Sequence, residues 1–226
     1  MQNFIIESAD GYTEEKASVL LKGLSIERLS RYSTLAPDNR IKQLQLYTWN
    51  TALSESLYTP IQGLEVTARN YFYRELVDYL GVECFDSNKI KLAFPQHRSL
   101  IQAKESLQKE GKPLTAVNLI SLLSFGFWAG LLGSKYETSL WRPCLYKAFG
   151  NKPTPFLRKH AHHEFDLIRI LRNRIAHHEP ILRPDLSLHY IRIIKMLRWF
   201  CEETAYWIDA QSRFNTIWNL SVNPFI

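Results

Sequence analysis

The chain has 226 residues, 46% of them apolar, with 28 Lys and Arg against 22 Asp and Glu for a formal charge of +6. That is enough apolar material for a sizeable core in one soluble globular domain spanning residues 1–226. Its three cysteines, Cys84, Cys144 and Cys201, are odd in number and form no Cys-x-x-Cys pair, which speaks against a disulfide framework or a zinc site and suits a reducing cytoplasm.

Met1 to Asp10 lacks the basic-then-apolar pattern of a signal peptide, so secretion is not expected. From Glu14 a stripe of Ala17, Leu20, Leu21, Leu24, Ile26 and Leu29 predicts helix, broken near Gly23 and Ser25. Ala36-Pro37-Asp38-Asn39 predicts a turn. Helical spacing returns from about Arg40 to Tyr58, and again from Ile61 to Gly81, a C-cap glycine; Pro60 between them either kinks one helix or opens the next. Glu65 and Arg69 sit at i and i+4, and Arg69-Asn70 echoes a pair met again near residue 172.

Val82 to Pro95 reads as irregular, and His97 to Glu110 as a short, polar, exposed helix closed by Gly111 and Pro113. Thr115 is placed to cap one apolar helix running to Leu132. That run is the nearest approach to a membrane span, but Asn118, Gly126, Gly130 and its serines interrupt it, so it predicts a buried central helix. A shorter segment follows from Tyr136 to Phe149, then a loop from Gly150 to Pro155. A helix from Phe156 must end within a residue or so of Pro180. Asp185 is placed to cap a last long helix carrying Leu188, Ile191, Ile194, Leu197, Trp199, Phe200 and Trp207, and the aromatic tail from Ser212 suits one more short helix. No stretch alternates with period two for long, so the expected class is all-α, an antiparallel helical bundle.

The chemistry concentrates late in the chain. Between Lys152 and Arg198 lie ten Lys or Arg and four acids, so this segment carries the whole net charge, and six of the seven histidines fall between 160 and 189. Such a segment is the footprint expected for a phosphate-rich partner, or else a solvated basic face. Within it, Leu171-Arg172-Asn173-Arg174-Ile175-Ala176-His177-His178-Glu179-Pro180 sets a fixed guanidinium fork beside an imidazole that takes or gives a proton near neutral pH. Arg172 can hold phosphate oxygens and His177 can serve a 2′-hydroxyl or a leaving oxygen, which suits RNA and needs no metal. On an ideal helix, however, residues five apart diverge by roughly 140°. The same residues also suit a plain helix C-terminus, where cations complement the dipole. Adjacent histidine pairs at 162–163 and 177–178 point to different faces, and neither a Gly-rich phosphate loop nor a Gly-x-Ser-x-Gly elbow occurs, so no metal and no cofactor are expected.

Leu171 to Leu182 resembles the Arg-Asn-x-x-x-His motif of the HEPN superfamily. Three further stretches resemble its Abi-like (abortive infection, AbiD/AbiF-type) family: Leu24-Ser25-Ile26-Glu27-Arg28-Leu29-Ser30-Arg31-Tyr32, Leu46-Tyr47-Thr48-Trp49-Asn50 with Leu64-Glu65-Val66 and Ala68-Arg69-Asn70, and Ser124-Phe125-Gly126-Phe127-Trp128. The resemblance implies a HEPN-like bundle with additional N-terminal helices and a phage-defence effector or toxin that cleaves RNA without a metal. It also implies a homodimer that joins two motifs. Arg172 and His177 carry over as catalytic, with Asn173, Arg174, His178, Glu179, Arg69 and Asn70 as auxiliary or RNA-binding residues. An antitoxin or a phage-derived trigger is a further partner that such a setting allows. The tyrosine that follows the histidine in antitoxin-paired HEPN toxins is replaced here by His178 and Glu179, which puts control at that position in doubt. The rival reading is a non-catalytic module that binds RNA or protein in a defence system.

Overall fold

The computed structural model describes residues 13–86, 89–220 and 223–225. Met1 to Asp10, and the side chains of Leu21 and Ile26 in the first stripe, lie outside the described residues. The chain is all-α: among the described residues there are ten α-helices and no strand. None of those helices is long and apolar enough to cross a membrane.

The first two helices follow the local signals. Thr13 caps α1 (Glu14–Leu24) by accepting from the Lys16 N–H at 3.3 Å. Ser25, at φ +70°, ends it and caps α2 (Ile26–Ser33) by accepting from the Arg28 N–H. After the expected turn, the Asn39 side chain receives the Lys42 N–H at 2.8 Å and opens α3 (Arg40–Leu80). α3 is continuous over 41 residues, with Pro60 inside it. Proline removes the N–H that would reach the Ser56 carbonyl and costs roughly 3 kcal/mol in a helix interior. The helix continues because its buried stripe keeps phase across the proline, through Leu53, Leu57, Ile61, Leu64, Ala68, Phe72 and Leu76. Burying each large member stabilises by about 1.5–3 kcal/mol, so the stripe outweighs the lost bond. Gly81 closes α3 at φ +85°, its N–H on the Val77 carbonyl at 2.7 Å.

Three expectations need correction. α4 (Phe94–Lys109) is not simply exposed: Leu100, Ala103 and Leu107 form a thin buried stripe on a polar helix. The apolar run after Thr115 is two helices, α5 (Ala116–Leu122) and α6 (Phe125–Gly130), since Leu123 is extended and Ser124 caps α6 by accepting from the Phe127 N–H. After short 3-10 and π turns between Ser134 and Ala148 comes α7 (Arg158–Ala176). The long final helix is then divided at Cys201 into α8 (Leu186–Phe200) and α9 (Glu202–Gln211), and the tail forms α10 (Phe214–Trp218).

The chain forms two compact units, and α3, α7 and α8 each contribute residues to both. The first contains the described residues up to Thr59, Leu171–Tyr190 and those from Gln211 onward. Its core centres on Trp49, fully buried, whose indole N–H donates to the Ile217 carbonyl at 2.8 Å and whose ring lies 5.7 Å from Trp218. Phe214 stacks on Tyr190 at 4.6 Å and on Trp218 at 5.9 Å. The second unit, Pro60–Ile170 with Ile191–Ala210, is built on Phe149, whose ring lies within 4.8 Å of Phe200 and packs on Phe72, Phe156 and Trp199. Aromatic pairs of this kind add about 0.5–1.5 kcal/mol each beyond area burial.

Candidate functional site

The Arg172–Glu179 string forms the last turn and the exit of α7, all within the first unit. Leu171 is buried and seats the helix, Arg172, Asn173 and Arg174 are half-buried, and His177, His178 and Glu179 are exposed. The helix ends at Ala176, earlier than Pro180 alone would dictate, because the chain closes on itself first. The His177 N–H still reaches the Asn173 carbonyl at 2.9 Å; the His178 N–H bonds the Ile175 carbonyl at 3.0 Å and the Glu179 N–H the Arg174 carbonyl at 2.8 Å. Those last two bonds, with His178 at φ +55°, define a Schellman C-cap. Its left-handed position ordinarily holds glycine; here it holds histidine.

Where a Schellman cap commonly sets an apolar contact between its first and last residues, this one sets an ion pair, Arg174 Nε to Glu179 Oε2 at 3.4 Å. Half-exposed, the pair is worth well under about 1 kcal/mol. Two more bonds hold the turn from outside. Arg28 on α2 donates to the His178 carbonyl at 3.3 Å, and the buried Asn50 on α3 accepts the Ile181 N–H at 2.7 Å. Arg28 and Asn50 lie in stretches that carry the family resemblance, but no local signal marks their role, since their partners are 150 and 131 residues away.

The segment's charge is partly spent on itself. Each of its four acids meets an arginine of the same segment: Glu164 with Arg192 at 3.4 Å, Asp166 with Arg169 at 2.7 Å, Glu179 with Arg174, and Asp185 with Arg183 at 3.1 Å. Asp185 does precede α8, its carboxylate also 3.8 Å from His189 Nε2. Arg69 and Asn70 lie on α3 within the second unit, where the Arg69 Nε stands 3.4 Å from the Asn70 amide oxygen, at the weak limit of a hydrogen bond. Among the described residues no three His, Cys, Asp or Glu side chains converge as metal ligands.

What the arrangement offers chemically is an exposed imidazole at the C-terminus of a helix, just past a half-buried guanidinium. Comparisons of the chain with protein-family models, curated proteins and solved structures find no match.

Proposed function

We propose that the chain is an Abi-like protein of the HEPN superfamily, an endoribonuclease that acts as a cytoplasmic phage-defence effector or toxin. The observation that carries this reading is the over-determined turn at the exit of α7. A helix that needed only a stop would place glycine at 178; this one keeps a side chain in a left-handed conformation and fixes the turn from α2 and α3. Such fixing sets the backbone that carries the exposed His177 in one conformation.

In the proposed reaction His177 takes the proton of a 2′-hydroxyl, the 2′-oxygen attacks the adjoining phosphorus, and the 5′-oxygen leaves with a proton, giving a 2′,3′-cyclic phosphate. Arg172 stabilises the charge that develops on the phosphate oxygens. An in-line displacement puts the attacking 2′-oxygen and the departing 5′-oxygen on opposite sides of the phosphorus, where one imidazole does not reach both, and on an ideal helix Arg172 and His177 diverge. A homodimer answers both demands by supplying a second motif, and RNA, an antitoxin or a phage-derived trigger are the partners of this reading. That same divergence favours a second reading, in which a single chain binds RNA or protein and cuts nothing.

The test is incubation of wild-type and His177→Ala protein with total RNA in excess EDTA, with fragment ends mapped. Cleavage by the wild type, reduced at least a hundredfold in the variant, with cyclic phosphate ends, is the expected result. Because His177 is exposed, the variant should unfold at the wild-type midpoint. Equal cleavage by both proteins refutes the assignment; salt-dependent binding without turnover selects the second reading.

A further inference from the structure

Beside the turn, on the first unit, lies an open cleft of about 680 Å³. Arg31 of α2, Arg174 of α7 and Arg183 of the α7–α8 connection converge on it, against a single lining carboxylate, Asp185. Three guanidiniums around one cleft repel one another, and the local acids relieve this only in part. Arg183 meets Asp185 and Arg174 meets Glu179, whereas Arg31, exposed, has no carboxylate partner among the described residues. A planar fork so placed suits bidentate capture of a phosphate.

The rest of the lining is not generically polar. Leu35, 38% exposed, Leu182, Pro184 and Phe225 give the cleft an apolar wall, and the Phe225 ring is already stacked on Trp218 at 6.2 Å and 17°. Tyr32, held on α2 against Tyr47, forms part of its floor, and burial pushes its phenol well above the usual range, so it stays a neutral hydroxyl. Guanidiniums on one side and a flat apolar wall on the other match the two halves of a nucleotide, an anionic phosphate and a base with a π face. The volume lies within the usual range for small-ligand sites.

We infer that this cleft is a nucleotide-binding site, in which Arg31, with Arg174 and Arg183, holds a phosphate and the Leu35–Phe225 wall receives the base. The nucleotide is either free or one residue of an RNA strand. The inference stands apart from catalysis, since it requires no bond to be broken.

The experiment measures binding of the full chain carrying His177→Ala, which keeps RNA intact, to a fluorescent ten-nucleotide oligoadenylate, with AMP as competitor. Binding should weaken about tenfold on Arg31→Ala and further on Arg31→Glu, and remain unchanged on substitution of the exposed Lys135 of the second unit by Ala. The slope of log affinity against log salt should shrink by about 0.7 for the lost phosphate contact. Competition by AMP assigns the site to a free nucleotide, and its absence assigns it to an RNA residue. Affinity unchanged by both Arg31 variants, no binding of either probe, or equal binding of a polyglutamate of matching charge overturns the inference. Failure of RNA cleavage by the wild type alongside loss of binding in Arg31→Ala would sink the proposed enzyme and leave this site standing.

Discussion

His178→Gly separates the strain at the α7 exit from the chemistry beside it. His178 sits at φ +55° with an exposed imidazole that makes no hydrogen bond or ion pair among the described residues, so removing its side chain loses little contact. The left-handed conformation costs a non-glycine residue about 1–2 kcal/mol. Glycine removes that cost but adds about 0.4–1 kcal/mol of chain entropy to the unfolded state. The net expectation is a gain of about 0.5–1 kcal/mol. For a chain of 226 residues this corresponds to a rise of about 1–4 °C in the unfolding midpoint, read by circular dichroism or calorimetry. Activity should move the other way. Glycine at 178 keeps the backbone bonds of the turn but widens the range of backbone conformations open to it when they loosen, so under the proposed function RNA cleavage per molecule should fall by up to about tenfold. A midpoint lowered by several degrees would show that the His178 side chain packs usefully and that the strain argument is wrong. A raised midpoint with unaltered cleavage would keep the strain argument and remove its link to function.

Asn50→Ala should destabilise by about 1–3 kcal/mol in urea unfolding, because it strands the buried Ile181 N–H, and it should also impair cleavage by releasing the chain after Pro180. Cys201 should be the first thiol to react with iodoacetamide near neutral pH: hydrogen bonds from the Thr204 hydroxyl and backbone hold its pKa down, while burial pushes Cys84 and Cys144 up to about 11. Mass spectrometry of a native-state time course reads this directly, and equal labelling of all three contradicts it. Glu137, bridged to Arg158 at 2.7 Å and Arg142 at 3.3 Å, has a depressed carboxyl pKa, with the Arg158 bond as the larger cause. A depressed carboxyl contributes stability above its unfolded pKa and loses it as pH falls through the folded value. Glu137→Gln should therefore lower the midpoint at pH 7 and match the wild type in strong acid; a gap that persists in acid refutes the ion-pair account.

The fold was legible wherever a boundary is local. Ser25, Gly81 and Thr115 each carry their stop or start signal within a few residues, and each acts where expected. The missed boundaries have the opposite character. Ser124 reads as one more interruption in an apolar run until Leu123 is seen extended, and at Cys201 only the acidic pair Glu202-Glu203 hints at a new helix start. α4 looks exposed because just Leu100, Ala103 and Leu107 pack, a stripe too thin to register against its lysines and glutamines.

At the candidate site, the sequence marks residue types and the structure supplies their fixing. Arg172, Asn173, Arg174, His177, His178 and Glu179 can be picked out by type, yet nothing local says that His178 adopts a left-handed conformation, a place where histidine is uncommon though enriched over most side chains. The bonds from Arg28 and Asn50 depend on tertiary structure and have no periodic signature. This difference bears on what mutations can reveal. Loss of activity on substituting His177 is compatible with chemistry or with binding, whereas loss on substituting Asn50, whose amide oxygen accepts the Ile181 N–H, reports whether the turn must be held still. If cleavage falls with Asn50→Ala and falls more than additively when His178→Gly is combined with it, the holding of the turn is the limiting quantity. If the two substitutions act independently, the turn serves stability alone and catalysis must be sought elsewhere on the chain.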